Sequence, residues 1–422
     1  MSFISWLDYS ESSRRKMLDV ISLFQQKESR DELGIGTVRD AFADIFFPGT
    51  STIQTRARYF MFIPWIYMQL EKRNYDAGTI GREARKREYD LIEALIASGE
   101  DAGVIGKVAR RSLQRLPSNI YWSGMHQWKI LNFNGSQEQY HRWFENKDNG
   151  KISLREMIED PEGNVGGLGK RTWNSDIPKI PEGFPVGINF KLGKEEARFL
   201  KDQVLRNCSK SLLSFLLLNG RTCEDGVDFA WQHPQYNEFD DDLKEQLEHA
   251  RCFSDIMNGA AWLYNLMLAE AVERTNPKDT KEKETISEIY RKNMAEWYNK
   301  TQKQKVKYTA WDIKRFWEIA TEQNPYIPGP TKTFCMKWIE YAISDRPSFK
   351  DFADNPDIRT VIKERERVLK RENARLSNSK ALENWGGDSG TGQLDYRWHI
   401  SRTIINDILT GLSQGDKNAS AQ

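Results

Sequence analysis

Between residues 33 and 70 the chain reads LGIGTVRDAFADIFFPGTSTIQTRARYFMFIPWIYMQL, and no other stretch constrains the fold as tightly. Val38, Phe42, Ile45 and Phe46 recur at helical spacing behind Thr37, a residue type that accepts a hydrogen bond at a helix start, and Pro48-Gly49 ends the run. Thr50, Ser51 and Thr52 then offer a second cap. The following segment carries Ile53, Tyr59, Phe60, Phe62, Ile63, Ile66 and Tyr67, apolar on most of its circumference, which predicts a buried helix. Pro64 inside it predicts a kink near residues 59–60, where a carbonyl loses its donor.

The rest of the chain must supply the core that covers such a helix. Its 422 residues exceed the usual size of one hydrophobic core, so several domains are expected. Charged residues make up 29%, and the longest apolar run, 260–269, is interrupted by Asn265 and falls far short of the roughly 20 residues of a membrane span. Lys and Arg total 62 against 61 Asp and Glu, so nucleic-acid attraction has to come from a local patch and not from net charge. Cys208, Cys223, Cys252 and Cys335 are scattered without a CxxC pair, which argues against a zinc site or a disulfide framework and points to a reducing, cytoplasmic setting.

Taken in order, the pattern is mainly α. Residues 10–24 form an amphipathic helix, residues 82–97 (REARKREYDLIEALIA) a second one with a basic first half, and residues 104–116 a third. The pair 89–97 and 104–116 has helix-turn-helix proportions. Lys107, Arg110, Arg111 and Arg115 on the second member, with Arg82, Arg85, Lys86 and Arg87 in the basic half of the helix that precedes 89, are candidates for phosphate contacts, set against the plainer reading of solvated helix faces. Residues 131–193 accumulate Gly, Pro and Asn and read as loops with a short strand pair. Helices resume at 195–218, 250–272, 278–307 (an exposed one), 311–320 and 331–343. A last long helix runs from Asn355-Pro356 to a glycine stop at Gly386, and a terminal helix covers 398–412. The expected organisation is a multi-helical N-terminal domain (1–130) with a possible helix-turn-helix, an irregular connecting segment (131–193), a C-terminal helical bundle (194–412) and a disordered tail (413–422).

Candidate chemistry thins out under inspection. In GNVGGLGKRT, Asn164 stands where a phosphate-binding loop requires its first glycine and Arg171 where it requires Ser or Thr. Gly387-Asp388-Ser389-Gly390 resembles a serine-protease nucleophile loop, but His399 is close in sequence on a predicted helix, and a glycine-rich helix stop is the simpler account. His233 near Glu238, Asp240, Asp241 and Asp242 lacks a second histidine at ligand spacing, and carboxylates there suit a helix start. No metal, cofactor or catalytic residue is assigned. Arg56 and Arg58, at the edge of the buried helix, either pair with the preceding helix, where Arg39 and Asp40 are the candidates, and lock that helix pair together, or form an anion site or unfamiliar active site with the helix start.

The stretch at 34–67, together with FISWLDYSE, FSDIMNGAAWLYNLMLAE and NSKALENWGGDSGTGQLDYRW, resembles a bacterial family designated only by a domain-of-unknown-function number, and the likeness spans nearly the whole chain. The resemblance implies a gene neighbourhood of helicases and phospholipase-D-like nucleases in antiphage defence islands. It carries no activity and no catalytic residue. The expectation is therefore an accessory or adaptor subunit working with a helicase or nuclease partner on DNA, with direct sequence-independent DNA binding as the alternative.

Overall fold

A computed structural model describes residues 31–72, 79–146, 171–222, 226–275, 284–345 and 348–413. Within them the chain runs through α1 (Gly36–Phe46), α2 (Tyr59–Glu71), α3 (Ile80–Ala97), α4 (Pro117–Gln127), α5 (Gln137–Asn146), α6 (Lys194–Asn207), α7 (Leu212–Asn219) and the long α8 (Asp241–Thr275). It continues with α9 (Ile286–Lys303), α10 (Lys305–Thr309), α11 (Ile313–Gln323), α12 (Gly329–Ile343), α13 (Phe349–Ala353), α14 (Pro356–Lys370), α15 (Ser379–Glu383) and α16 (Trp398–Ser413). Among the described residues there is no strand, only one antiparallel bridge, Leu131 to Trp173. The fold is mainly α, as its periodicity predicts. The helix expected at 10–24, the GNVGGLGK loop, Cys223 and the 414–422 tail lie outside the described residues.

The helices form two compact units: residues 1–42 with 245–394, and residues 43–244 with 395–422. The chain passes from the first to the second within α1, returns within α8, and leaves again between Leu394 and Asp395.

In the second unit, α2 is the centre. Ten of its thirteen residues are buried, and Tyr59, Phe60 and Phe62 meet Tyr121, Trp128 and Phe190 at ring distances of 4.1 to 6.2 Å. Its start lies later than the residue-53 expectation because the backbone before it is captured by side chains. The Tyr121 hydroxyl accepts the amides of Thr55 and Arg56 at 2.8 and 3.1 Å, and Asp407 accepts that of Ala57 at 2.9 Å. With those N–H groups spent, the first free turn begins at Tyr59. Gly49, at φ +82°, lies against Trp128, whose indole donates to the Pro48 carbonyl at 2.8 Å; a Cβ there would come within 2.4 Å of that nitrogen. On the far side α16 rides closely on α6, and a Cβ on Gly411 would meet Ala197 Cβ at 2.8 Å.

Segment 104–116 corrects the helix-turn-helix expectation. Its regular structure is one 3-10 turn, Arg110–Ser112, preceded by Gly103 and Gly106 at φ +87° and +81° and with Arg110 itself at +48°. Thr55 Oγ1 donates to the Gly103 carbonyl at 2.7 Å and the Ile105 amide donates to Tyr59 Oη at 3.0 Å, so long-range partners hold the start of the segment in this irregular path. Another expected helix is broken. Ser211 takes the Cys208 carbonyl and caps α7 through Ser214 N at 3.1 Å, dividing 195–218. Conversely, the segment read as loops contains α5, with Tyr140 and Trp143 in the core.

In the first unit, α8 is flanked by α9, α11 and α12. Phe253 stacks on Phe316 at 4.9 Å and Trp338 donates to the Ile256 carbonyl at 2.9 Å. α9 is not the exposed helix expected at 278–307, since Tyr290, Met294, Trp297 and Tyr298 are buried. Asp31, not Thr37, caps α1, its carboxylate accepting the Ile35 amide at 3.0 Å. The helix expected to reach Gly386 ends at Lys370. Arg371 turns to φ +51°, and the buried Glu366 carboxylate accepts the amides of Arg375 and Leu376, each at 2.9 Å.

Candidate functional site

α3 carries the residues of interest because its two faces are sharply divided. Ile80, Ala84, Glu88, Leu91, Ile92 and Leu95 are buried at helical spacing, which turns Arg82, Arg85 and Lys86 into solvent and leaves Arg87 on the flank. Four cations thus occupy the first two turns, where the helix dipole is positive and where Glu83 is the acidic residue of the first turn. Arg85 donates to Tyr89 Oη at 3.3 Å and Arg87 to Gln69 Oε1 at 2.7 Å, while Arg82 and Lys86 make no ion pair among the described residues.

Beside them lies a cavity of about 250 Å³ lined by Ile66, Gln69, Glu83, Lys86, Arg87, Asp90, Phe184 and Pro185. Arg87 Nε is buried and has no hydrogen-bond partner among the described residues. A guanidinium N–H left unpaired beside a cavity is poised for an acceptor.

The other four basic candidates divide. Lys107 is ion-paired with Asp101 and Arg110 with Glu93 at 2.5 Å, while Arg111 and Arg115 are exposed. Standing on an irregular segment, they do not form a groove-reading helix.

Arg56 and Arg58 have other work. Arg56 clasps Asp407 of α16 through Nε and Nη2 at 2.9 and 2.8 Å, a contact that raises its pKa. Arg58 holds Glu196 of α6 through two 2.8 Å bonds and donates to the Asn189 carbonyl at 2.8 Å. Their forks are engaged by Glu196 and Asp407, which tie the start of α2 to α6 and α16, and the expected partner Asp40 is instead paired with Arg39.

Beneath α3 sits a group that sequence reasoning missed. Glu88 is fully buried, accepting Ser118 N at 2.8 Å and Ser118 Oγ at 2.6 Å at the start of α4. Gln137 Nε2 links Ser118 Oγ to Tyr67 Oη, at 2.7 and 2.6 Å, and Tyr67 Oη lies 3.1 Å from His141 Nε2. Burial pushes the Glu88 carboxyl up to about 7, against the Ser118 bonds and the Arg85 charge that lower it. The available signal was a glutamate at a stripe position, i+4 from Ala84.

The remaining candidates are structural in place. Ser389 is buried, its Oγ accepting from Arg375 and Trp385 at 3.0 Å each and its amide donating to Asn265 at 2.8 Å, while His399 is exposed. His233 packs between Phe239 and Trp398 and accepts the Gln235 amide at 3.1 Å; Asp240 caps α8 through Leu243 N at 2.8 Å. Among the described residues no three His, Cys, Asp or Glu side chains converge as metal ligands, and no helix is long and apolar enough to cross a membrane.

Comparison with family models decides where this chain stands. Residues 1–410 match the model of a family of unknown function, DUF6361. The chain belongs to the DUF6361 family. No curated protein and no solved structure matches it.

Proposed function

We propose that this DUF6361 protein is a cytoplasmic, DNA-associated adaptor of a multi-protein antiphage system, holding a helicase or nuclease partner on DNA. The observation that carries the DNA part is the placement of Arg82, Arg85, Lys86 and Arg87 in the first two turns of α3. Cations at the positive end of a helix oppose its dipole, so they do not serve the helix itself. A phosphate there satisfies the side chains and the dipole together. Arg111 and Arg115, exposed on the irregular segment after α3, supply further cations. The contacts are to the phosphate backbone and independent of sequence, with Arg111 and Arg115 standing on an irregular segment and not on a groove-reading helix. The partner class comes from the gene neighbourhood that the family resemblance implies, helicases and phospholipase-D-like nucleases in antiphage defence islands, and the adaptor role accords with Ser389, His233, Arg56 and Arg58 all being spent on packing and pairing.

The test is DNA binding by the full chain as a function of salt. Neutralising three phosphates gives a log-log slope of about −2.7. Joint reversal of Arg82, Arg85 and Lys86 to Glu flattens that slope by two or more, on the order of one per lost contact. An unchanged slope, or no binding at low salt, removes the DNA reading. Failure to co-purify with the helicase or nuclease encoded beside it removes the adaptor reading.

A further inference from the structure

The first unit contains a cavity of about 270 Å³ between α8, α9 and the end of the chain segment at Gln393, far in sequence from the basic helix. Its polar floor is Asp255, whose side chain is 9% exposed. Asp255 Oδ1 accepts Gln393 Nε2 at 2.8 Å and Oδ2 accepts Tyr308 Oη at 3.1 Å, which leaves each oxygen a second lone pair. Lys300, whose side chain is 59% exposed, brings Nζ to 3.7 Å from Oδ1, beyond hydrogen-bond length. Arg251 Nε stands 3.8 Å from Oδ2. A buried acceptor and an exposed donor therefore lie side by side at one end of the cavity.

The walls are indoles. Trp297 donates to the Asp255 carbonyl and Trp262 to Asn258 Oδ1, both at 2.8 Å, and Asn258 in turn donates to the Thr391 carbonyl at 2.9 Å. With their N–H groups committed, the rings offer only carbon and π surface. Trp297 is held rigidly from behind by Trp338 and Phe352, at ring distances of 6.0 and 5.8 Å, while Trp262 is half-buried. Asn293 of α9 is also in the lining.

We propose that this cavity binds a purine bearing a 6-oxo edge, namely guanine as the free nucleoside or part of a nucleotide. The complement of a carboxylate beside an ammonium is a flat ring with adjacent donors and acceptors. Guanine supplies N1–H and N2–H for Asp255, and O6 and N7 for Lys300. Its face stacks on Trp262. Adenine presents the opposite order, setting an acceptor N1 against the Asp255 carboxylate. The cavity has room for the base and part of a ribose, below the usual range of drug-sized sites.

Isothermal titration calorimetry of the full chain with guanosine, inosine and adenosine tests this. Guanosine binds most tightly, inosine more weakly for want of the N2 donor, and adenosine at least about tenfold more weakly than guanosine, because a site built to hydrogen-bond one edge rejects the edge that leaves its groups unpaired. Asp255→Asn weakens guanosine by about tenfold or more. Lys300→Met, at an exposed position that leaves the fold intact, weakens it several-fold. Equal affinity for guanosine and adenosine, no saturable heat with guanosine, or guanosine binding indifferent to Lys300→Met and Asp255→Asn would each overturn the proposal and leave Asp255 as a tie between α8, α10 and Gln393.

Discussion

Glu88 shows how one buried carboxylate sets a pH dependence for the unit that holds it. Its carboxyl titrates near 7 in the folded chain and near the ordinary glutamate value when unfolded. Between those values the folded state binds the extra proton, so this group's stability contribution is fully present below the unfolded value and is lost as pH rises through about 7. The full loss is on the order of 3 kcal/mol. Glu88→Gln, which keeps an acceptor for Ser118 N and offers a donor to Ser118 Oγ, removes this component. Urea midpoints measured from pH 4.5 to 8 should fall with pH in the parent and lie flatter in the variant; parallel curves would show that Glu88 stays ionised. Arg56 and Arg58 make the complementary point, since a guanidinium facing a carboxylate in bidentate geometry is a clamp and needs no ligand.

Among the elements, α3 carries cations that oppose its own dipole. Arg82 stands in the first turn, where an acidic residue is preferred. Arg82→Glu should therefore raise the stability of the protein by about 0.3–1 kcal/mol while weakening DNA binding. Thermal unfolding and DNA anisotropy on the same variant check both signs; a variant that is destabilised, or that binds DNA as the parent does, shows that Arg82 serves the fold. The breaks at Cys208 and Arg371 illustrate the opposite case. There a side chain, Ser211 or Glu366, captures the backbone just beyond the helix and sets where it stops.

For the whole molecule, the decisive fact is that neither compact unit is contiguous. α16 belongs with residues 43–244, where Ile404, Ile405 and Ile408 are buried and Asp407 receives Arg56 and the Ala57 amide. A chain truncated after Leu394 keeps every residue of the first unit and strips the second of this helix. Limited proteolysis of that truncation should cut first within 43–244, mapped by mass spectrometry. Preferential cleavage within 245–394 would mean that α16 is dispensable to its unit.

Helix content, the burial of α2 and the divided faces of α3 were legible in the chain, because a stripe of apolar residues at helical spacing encodes which side of a segment avoids water. The start of α14 at Asn355-Pro356 was legible too, because proline's fixed φ suits the first helical turn. Partners were not. Arg56 meets a carboxylate 351 residues away and Arg58 one 138 residues away, and periodicity carries no record of such pairings. The loss of the helix at 104–116 has the same origin, since Thr55 and Tyr59 hold the start of the segment from outside it. Local pattern settles which residues are hidden; only packing in three dimensions settles what they are hidden against, and with it where each helix begins and ends and which charges remain free to meet a ligand.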